Sequence, residues 1–240
     1  MTGWQKLGPD PRIAAWAAAA LPVAEAVIAA SAEPWRCGGT WFVGVDALPN
    51  AADGAVGGVA FPWDALPLRP APLHPAQLSV IRPGYPQPSP EESSAAFRYR
   101  QTRDAAHLDG ILAVGPARRR MIREPHAWIL GLPLTDSAAS PLVVWEGSHA
   151  VMQAALRFAL RDHPVQTWGE VDITDAYQTA RAKVFQTCRR VALPVRPGEA
   201  TLIHRHMVHG VAPWGGGASD RVIAYVRPQM ASVADWLCAA

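Results

Sequence analysis

Residues 103–110, RDAAHLDG, set an imidazole and a carboxylate two positions apart at His107 and Asp109. In an extended strand, side chains two residues apart project from the same face. The pair can therefore take neighbouring positions on one divalent cation. A third ligand from elsewhere would complete one face of an octahedron and leave the opposite face open, the arrangement of non-haem Fe(II) sites. Taken alone, the pair also reads as a surface histidine followed by a turn-forming aspartate before Gly110. Residues 198–228, GEATLIHRHMVHGVAPWGGGASDRVIAYVRP, hold His204, His206 and His209, then a glycine-rich turn, then Arg221 opening a strand. His204 and His206 form a second pair on one strand face, and an unbroken strand would put His209 on the other. A guanidinium suits the binding of a carboxylate because its planar fork meets both oxygens. Arg227 would share a strand face with Arg221.

These groups have to be positioned by something largely built of strands. TWFVGV (40–45) and AQLSVI (76–81) have β-branched and aromatic content. The second is a proline-free island in the proline-crowded stretch 61–90, where a long central strand is excluded. Residues 83–100 read as a surface loop long enough to act as a lid or, alternatively, as a disordered linker. Further strand-like runs occupy 126–134, 141–147, 189–195, 200–210 and 221–228. Two amphipathic stretches interrupt them within 149–188, and the second puts Ile173, Tyr177, Ala180 and Val184 on one face behind an Asp172 or Thr174 cap. Many short strands with bracing helices predict a mainly β domain with flanking helices, a two-sheet sandwich or jelly roll.

Composition narrows the class. With 240 residues, half of them hydrophobic, the chain can bury a substantial core, and a single domain over 1–240 is expected. The 22 basic and 20 acidic residues give a formal charge of +2, so no global field favours nucleic acid or a membrane surface. The run IAAWAAAALPVAEAVIAA within the N-terminal segment 1–35 is apolar, but Pro22 and Glu25 interrupt it. It reads as an Ala-rich helix, capped by Asp10 and Pro11 and kinked near Pro22, packed outside the core. Cys37, Cys188 and Cys238 are odd in number and lack metal-ligand spacing, which points to a reducing compartment and a cytoplasmic protein. Arg118, Arg119, Arg120 and Arg123 cluster in ARRRMIREPH, a solvated turn or a hold on an anionic substrate group.

Five pieces in order, HLDG, HAWILGLPL, VVWEGSH, RPGEATLIHRHMVHG and SDRVIAYVRP, make residues 75–228 resemble the phytanoyl-CoA dioxygenase-like branch of the Fe(II)- and 2-oxoglutarate-dependent oxygenases. The resemblance implies a double-stranded β-helix, the jelly roll shared with cupins. It implies Fe(II) held by His107, Asp109 and His209, with 2-oxoglutarate and O2 as co-reactants. Arg221, twelve positions after His209, would anchor the far carboxylate of 2-oxoglutarate, with Arg227 as the rival anchor. His149 in EGSH would form a structural turn. The implied reaction is hydroxylation of an unactivated C–H bond in a small molecule, with succinate and carbon dioxide as co-products. The carboxylate ligand Asp109 argues against halogenation, in which a small residue leaves that position to chloride. His126 and Trp128, alternating on one strand face, and Gln77 and Arg82, bordering the loop 83–100, are candidates for substrate contact. Two other readings stay open: a cupin-like metalloenzyme built on His204 and His206 without 2-oxoglutarate, and a non-catalytic binding module on the same fold.

Overall fold

A computed structural model describes residues 2–238. Met1 and residues 239–240, part of the single domain expected over 1–240, lie outside the described residues. In chain order the elements are β1 (Trp4–Leu7), α1 (Pro11–Ala30), β2 (Trp41–Leu48), β3 (Ala76–Ile81), α2 (Ser94–Arg103), β4 (Ile111–Val114), β5 (Arg119–Ile122), β6 (Trp128–Pro133), β7 (Leu142–Trp145), α3 (Ser148–Leu160), α4 (Thr174–Thr187), β8 (Arg190–Leu193), β9 (Ala200–His204), β10 (His209–Val211), β11 (Arg221–Val226) and α5 (Val233–Cys238).

Six strands form a main sheet in the order β1-β9-β6-β11-β3-β2, three form a smaller sheet β10-β7-β8, and β4 and β5 make a hairpin. All the pairings are antiparallel. Strand alternation divides the side chains into layers. Ile129, Ile203, Ile223 and Tyr225 of the main sheet meet Leu142, Val144 and Leu193 of the smaller one in a shared core. On the other face of the main sheet, Leu78, Val80, Leu130, Leu132, Val222 and Ala224 pack against Ile13, Trp16, Ala17, Ala20 and Ala24 of α1. On the far face of the smaller sheet, Val143 and Trp145 pack against Met152, Leu156, Tyr177 and Val184 of α3 and α4.

The helix starts follow from local chemistry. Asp10 caps α1 by accepting from the Arg12 N–H at 2.8 Å, with Pro11 in the first turn. The helix continues through Pro22 to Ala30, one helix as the sequence suggests. By length and composition alone α1 could cross a membrane; its buried face is the one set on the main sheet. The expected face Ile173, Tyr177, Ala180 and Val184 of α4 is buried. Two expectations are corrected. The loop 83–100 is helical from Ser94 onward, with the Ser93 hydroxyl accepting from the Ala96 N–H. The run 200–210 is not one strand: a turn at 205–206, closed by Met207 N–H to the His204 carbonyl at 2.8 Å, carries the chain from β9 in the main sheet to β10 in the smaller sheet. The face alternation that set His209 against His204 therefore does not apply.

Candidate metal centre

The His107 segment extends the edge of the smaller sheet. The His107 N–H donates to the His209 carbonyl at 2.8 Å, and the His209 N–H returns to the His107 carbonyl at 3.0 Å. This bridge sets the two imidazoles side by side, ring centroids 4.6 Å apart. Two glycines permit it. Gly110, with φ of +87°, turns the chain into β4, and its carbonyl accepts from the Arg123 and Glu124 N–H groups. Gly210 lies so close to the Asp104 carbonyl that any Cβ would overlap it. Asp104 itself, buried at the end of α2, takes a two-pronged hold from Arg190 at 2.8 and 2.7 Å, and its carbonyl accepts from the Val211 N–H. The ligand-bearing loop is thus clamped to both β8 and β10.

Asp109 Oδ1 lies 3.2 Å from His107 Nε2 and 3.6 Å from His209 Nε2. Metal–ligand bonds of about 2.1 Å meeting at right angles separate neighbouring donors by roughly 3 Å, so the spacing fits one face of an octahedron. The tautomers fit too. His107 Nδ1 is 3.0 Å from the Ala105 carbonyl and His209 Nδ1 is 2.9 Å from the Met207 carbonyl. A carbonyl can only accept, so each Nδ1 donates to its own; a bound cation would take the place of the proton through which His107 Nε2 bonds Asp109, leaving each Nε2 a lone pair for the ion. Burial pushes the Asp109 carboxyl up, but the His107 hydrogen bond and the charges of His209, His107 and Arg227 outweigh it and hold it well below the ordinary value. Burial and His107 push His209 down to about 4. Desolvation lowers His107, yet the hydrogen bond and charge of Asp109 leave it raised overall. Among the described residues, His107, Asp109 and His209 are the one group of this kind with ligand atoms mutually within 4.8 Å.

The remaining sequence candidates separate clearly. Arg221 is buried on the inner face of β11; its Nη2 donates to the Tyr225 hydroxyl at 3.1 Å, and its Nη1 has no partner among the described residues. It is not on the cavity wall, but Tyr225 is. Arg227 is committed elsewhere, with Nη1 3.2 Å from Asp109 Oδ2. Gln77 lines the cavity. His126 and Trp128 do not: they share a face, as expected, but it is the face turned from the cavity, the one that carries Leu130 and Leu132. Trp128 packs edge-on against Trp63. His126 and His74 both bond the Arg227 carbonyl, at 3.1 and 2.7 Å, and burial with Arg227 pushes His126 down to about 4. Arg82 follows the last residue of β3 and stacks outward on Trp35, reaching Asp220. His204 and His206, ring centroids 5.1 Å apart, belong to no group of three such ligand residues among the described residues. The buried His206 ring stands edge-on to Trp236 at 4.3 Å, and neither of its nitrogens has a partner among the described residues. His149 sits in the first turn of α3 beside His204.

The cavity over the centre has a volume of about 630 Å³, ample for a small organic molecule. The segment 83–100 does border it, through Glu92, Ala96, Tyr99 and Arg100. Sequence reasoning missed the contributions of α2 and α4, Tyr99, Tyr177 and Arg181. The four-residue spacing of Tyr177 and Arg181 was the available signal.

No protein-family model matches the chain, and no curated protein matches it. Solved structures do. The non-heme alpha ketoglutarate dependent carbocyclase SnoK from nogalamycin biosynthesis is similar over 98% of this chain and 84% of its own, with 17% identity and a TM-score of 0.50. AviO1 from Streptomyces viridochromogenes Tue57 aligns over 96% of this chain and 91% of its own, with 18% identity and a TM-score of 0.46. EctD from S. alaskensis with bound Fe aligns over 94% and 72%, with 16% identity and a TM-score of 0.44. At such identities the likeness is one of fold: the chain has the antiparallel, helix-flanked architecture seen in SnoK.

Proposed function

We propose that the chain is a non-haem Fe(II)- and 2-oxoglutarate-dependent oxygenase, related to the phytanoyl-CoA dioxygenase-like branch, that hydroxylates an unactivated C–H bond of a small molecule. The observation that carries this reading is the geometry of the site: two imidazoles, each held at Nδ1 by a backbone carbonyl, bring their Nε2 atoms to 3.2 and 3.6 Å from one carboxylate oxygen. The fold shared with SnoK supports it, and the two facing sheets fit a double-stranded β-helix.

Bound iron and 2-oxoglutarate would supply the oxidising power for C–H cleavage, using O2. The protein's part is to hold and to exclude. His107, Asp109 and His209 would occupy one face of the ion and leave the other to ligands. Arg227 fixes Asp109 by its second oxygen, so that Oδ1 faces the imidazoles. Arg221 is the residue we assign to the distant carboxylate of 2-oxoglutarate. A buried guanidinium whose Nη1 has no partner and which meets no carboxylate among the described residues is costly unless an anion completes it. Tyr225, between Arg221 and the cavity wall, offers its hydroxyl to the same carboxylate. The apolar wall of Ile111, Ile129 and Leu142 keeps water from the reacting carbon. The near-neutral charge accords with a small-molecule substrate rather than nucleic acid or a membrane, and three cysteines without metal-ligand spacing accord with a cytoplasmic enzyme.

Ferrous protein supplied with 2-oxoglutarate and air is expected to consume O2 and release succinate, and Asp109→Ala is expected to abolish both. Oxygen consumption that persists in Asp109→Ala, or none in the wild type under any condition, contradicts the reading.

A further inference from the structure

We propose that the substrate carries an oxyanion, a carboxylate or a phosphate, held by Arg120 and Arg181 at the α4 side of the cavity. The inference rests on the reading above that the same cavity is where reaction occurs. Its starting point is the charge on the walls. Five arginines line the cavity, Arg36, Arg100, Arg120, Arg181 and Arg227, against the carboxylates of Glu92, Asp109 and Glu124. Two of the cations are neutralised in place: Arg227 by Asp109, and Arg100 by Glu92 at 2.6 Å. Glu124 lies 3.9 Å from His126 Nε2. Arg120 and Arg181 form no ion pair among the described residues, and both are only partly exposed.

Both guanidiniums lie beside the Tyr177 ring. Arg181 lies 5.1 Å from the centre of the Tyr177 ring and 5.2 Å from that of Tyr99, and Arg120 lies 5.9 Å from the Tyr177 ring. Their backbones are fixed relative to one another. The Arg120 N–H donates to the Thr174 hydroxyl at 2.8 Å, and the Arg120 carbonyl accepts from the Ile173 N–H at 2.9 Å, which ties β5 to the start of the helix that bears Tyr177 and Arg181. Tyr99 is held by its hydroxyl, which donates to the Ala106 carbonyl at 2.7 Å. Two cations held beside one ring on fixed supports, neither ion-paired among the described residues, favour an anion shared between them. A planar guanidinium pair over aromatic rings suits a carboxylate or phosphate attached to an apolar body.

The placement also sets the reach. Arg120 pairs across the hairpin with Ala113, four positions beyond Asp109. Four residues span at most about 13 Å, and less here because Gly110 turns the chain, so the anionic group sits within one small-molecule length of the centre, on an element other than the β11 that bears Arg221.

The test uses metal-free protein, so that it does not depend on turnover. Three probes, 4-phenylbutyrate, phenyl phosphate and uncharged 4-phenylbutyramide, are titrated by ligand-observed NMR against wild type, Arg120→Gln/Arg181→Gln and Arg221→Gln. At least one oxyanion probe is expected to bind tenfold or more tightly than the amide, and which one identifies a carboxylate or a phosphate substrate. The double variant is expected to lose that preference, and Arg221→Gln to keep it. If thermal unfolding shows the double variant to be unfolded, the single variants replace it, each expected to weaken the oxyanion probe severalfold while leaving the amide unchanged. Equal binding of all three probes, no binding, or a preference lost in Arg221→Gln and kept in the double variant overturns the proposal. Iron binding measured on the same preparations separates the two readings: oxyanion preference without iron binding sinks the oxygenase alone, and iron binding without the preference sinks this inference alone.

Discussion

Replacing Gly210 by alanine tests whether the metal centre is assembled by the close approach of two backbone segments. The added Cβ would overlap the Asp104 carbonyl oxygen, and would lie 3.0 Å from the Asp104 carbonyl carbon and 3.2 Å from Ala106 Cα. These are backbone atoms, unable to rotate away, and ordinary carbon contacts need about 3.5–4.0 Å. The segment 104–107 and β10 must therefore part by about 0.5–1 Å. Overpacking of this kind costs about 1–3 kcal/mol, which in a chain of this size lowers Tm by several degrees. The effect on the ion is larger in proportion, because the parted segments carry His107 and His209, and a metal site tolerates only about 0.2 Å. The expected loss of ferrous affinity is at least tenfold. Calorimetric metal titration and thermal unfolding read the two effects, with Gly8→Ala as control, since nothing lies within 4 Å of its added Cβ. If Gly210→Ala matched Gly8→Ala in both, the positioning argument would fail.

The clamp beneath the loop makes a related prediction: Asp104→Asn, which keeps a residue tolerant of its φ of 54°, should lose about 2 kcal/mol in denaturant unfolding by forfeiting the charged pair with Arg190. The two buried arginines should separate by function. Arg221→Gln is expected to raise the Kd for 2-oxoglutarate at least tenfold with ferrous affinity intact, whereas Arg227→Gln, which strips a partner from Asp109, should weaken iron itself about 10- to 100-fold; calorimetry with each ligand distinguishes them. Stability should fall on acidification. His206, pushed to about 2 by burial, His204 and Arg205 with His149 adding, and His126, at about 4, remain neutral in the folded chain where the unfolded chain takes up protons. The unfolded state then binds more protons below its own pKa of about 6.5, so stability drops from there toward pH 4, by about 1.4 kcal/mol per pH unit per histidine at most. Urea unfolding across that range should show a shallower decline for His206→Phe, and an unchanged decline would refute the assignment.

Much of this centre was legible because its chemistry is short-range in sequence. His107 and Asp109 needed only strand alternation, and β3 was bounded by its prolines. The third ligand was not legible from periodicity. Alternation along 200–210 set His209 on the wrong face, because a two-residue turn moves the chain between sheets; its place before Gly210, where alternation need not hold, and the resemblance selected it. His126 and Trp128 show the converse limit: their shared face was read correctly, but which side of a sheet faces the cavity is decided by α1 covering the other, a long-range fact. Arg120, Tyr177 and Arg181 meet through a bond between β5 and the start of α4 that no local pattern announces. The Asp104–Arg190 pair spans 86 positions and leaves no trace in sequence spacing.

The most direct test of the central claim is an anaerobic titration of ferrous ion into the protein in the presence of 2-oxoglutarate, followed in the visible region. One equivalent of iron per chain should develop the weak charge-transfer band of chelated 2-oxoglutarate, and the band should vanish in His209→Ala while surviving in His206→Phe. Iron that binds without the band, or a band that depends on His206 and not on His209, would contradict the account.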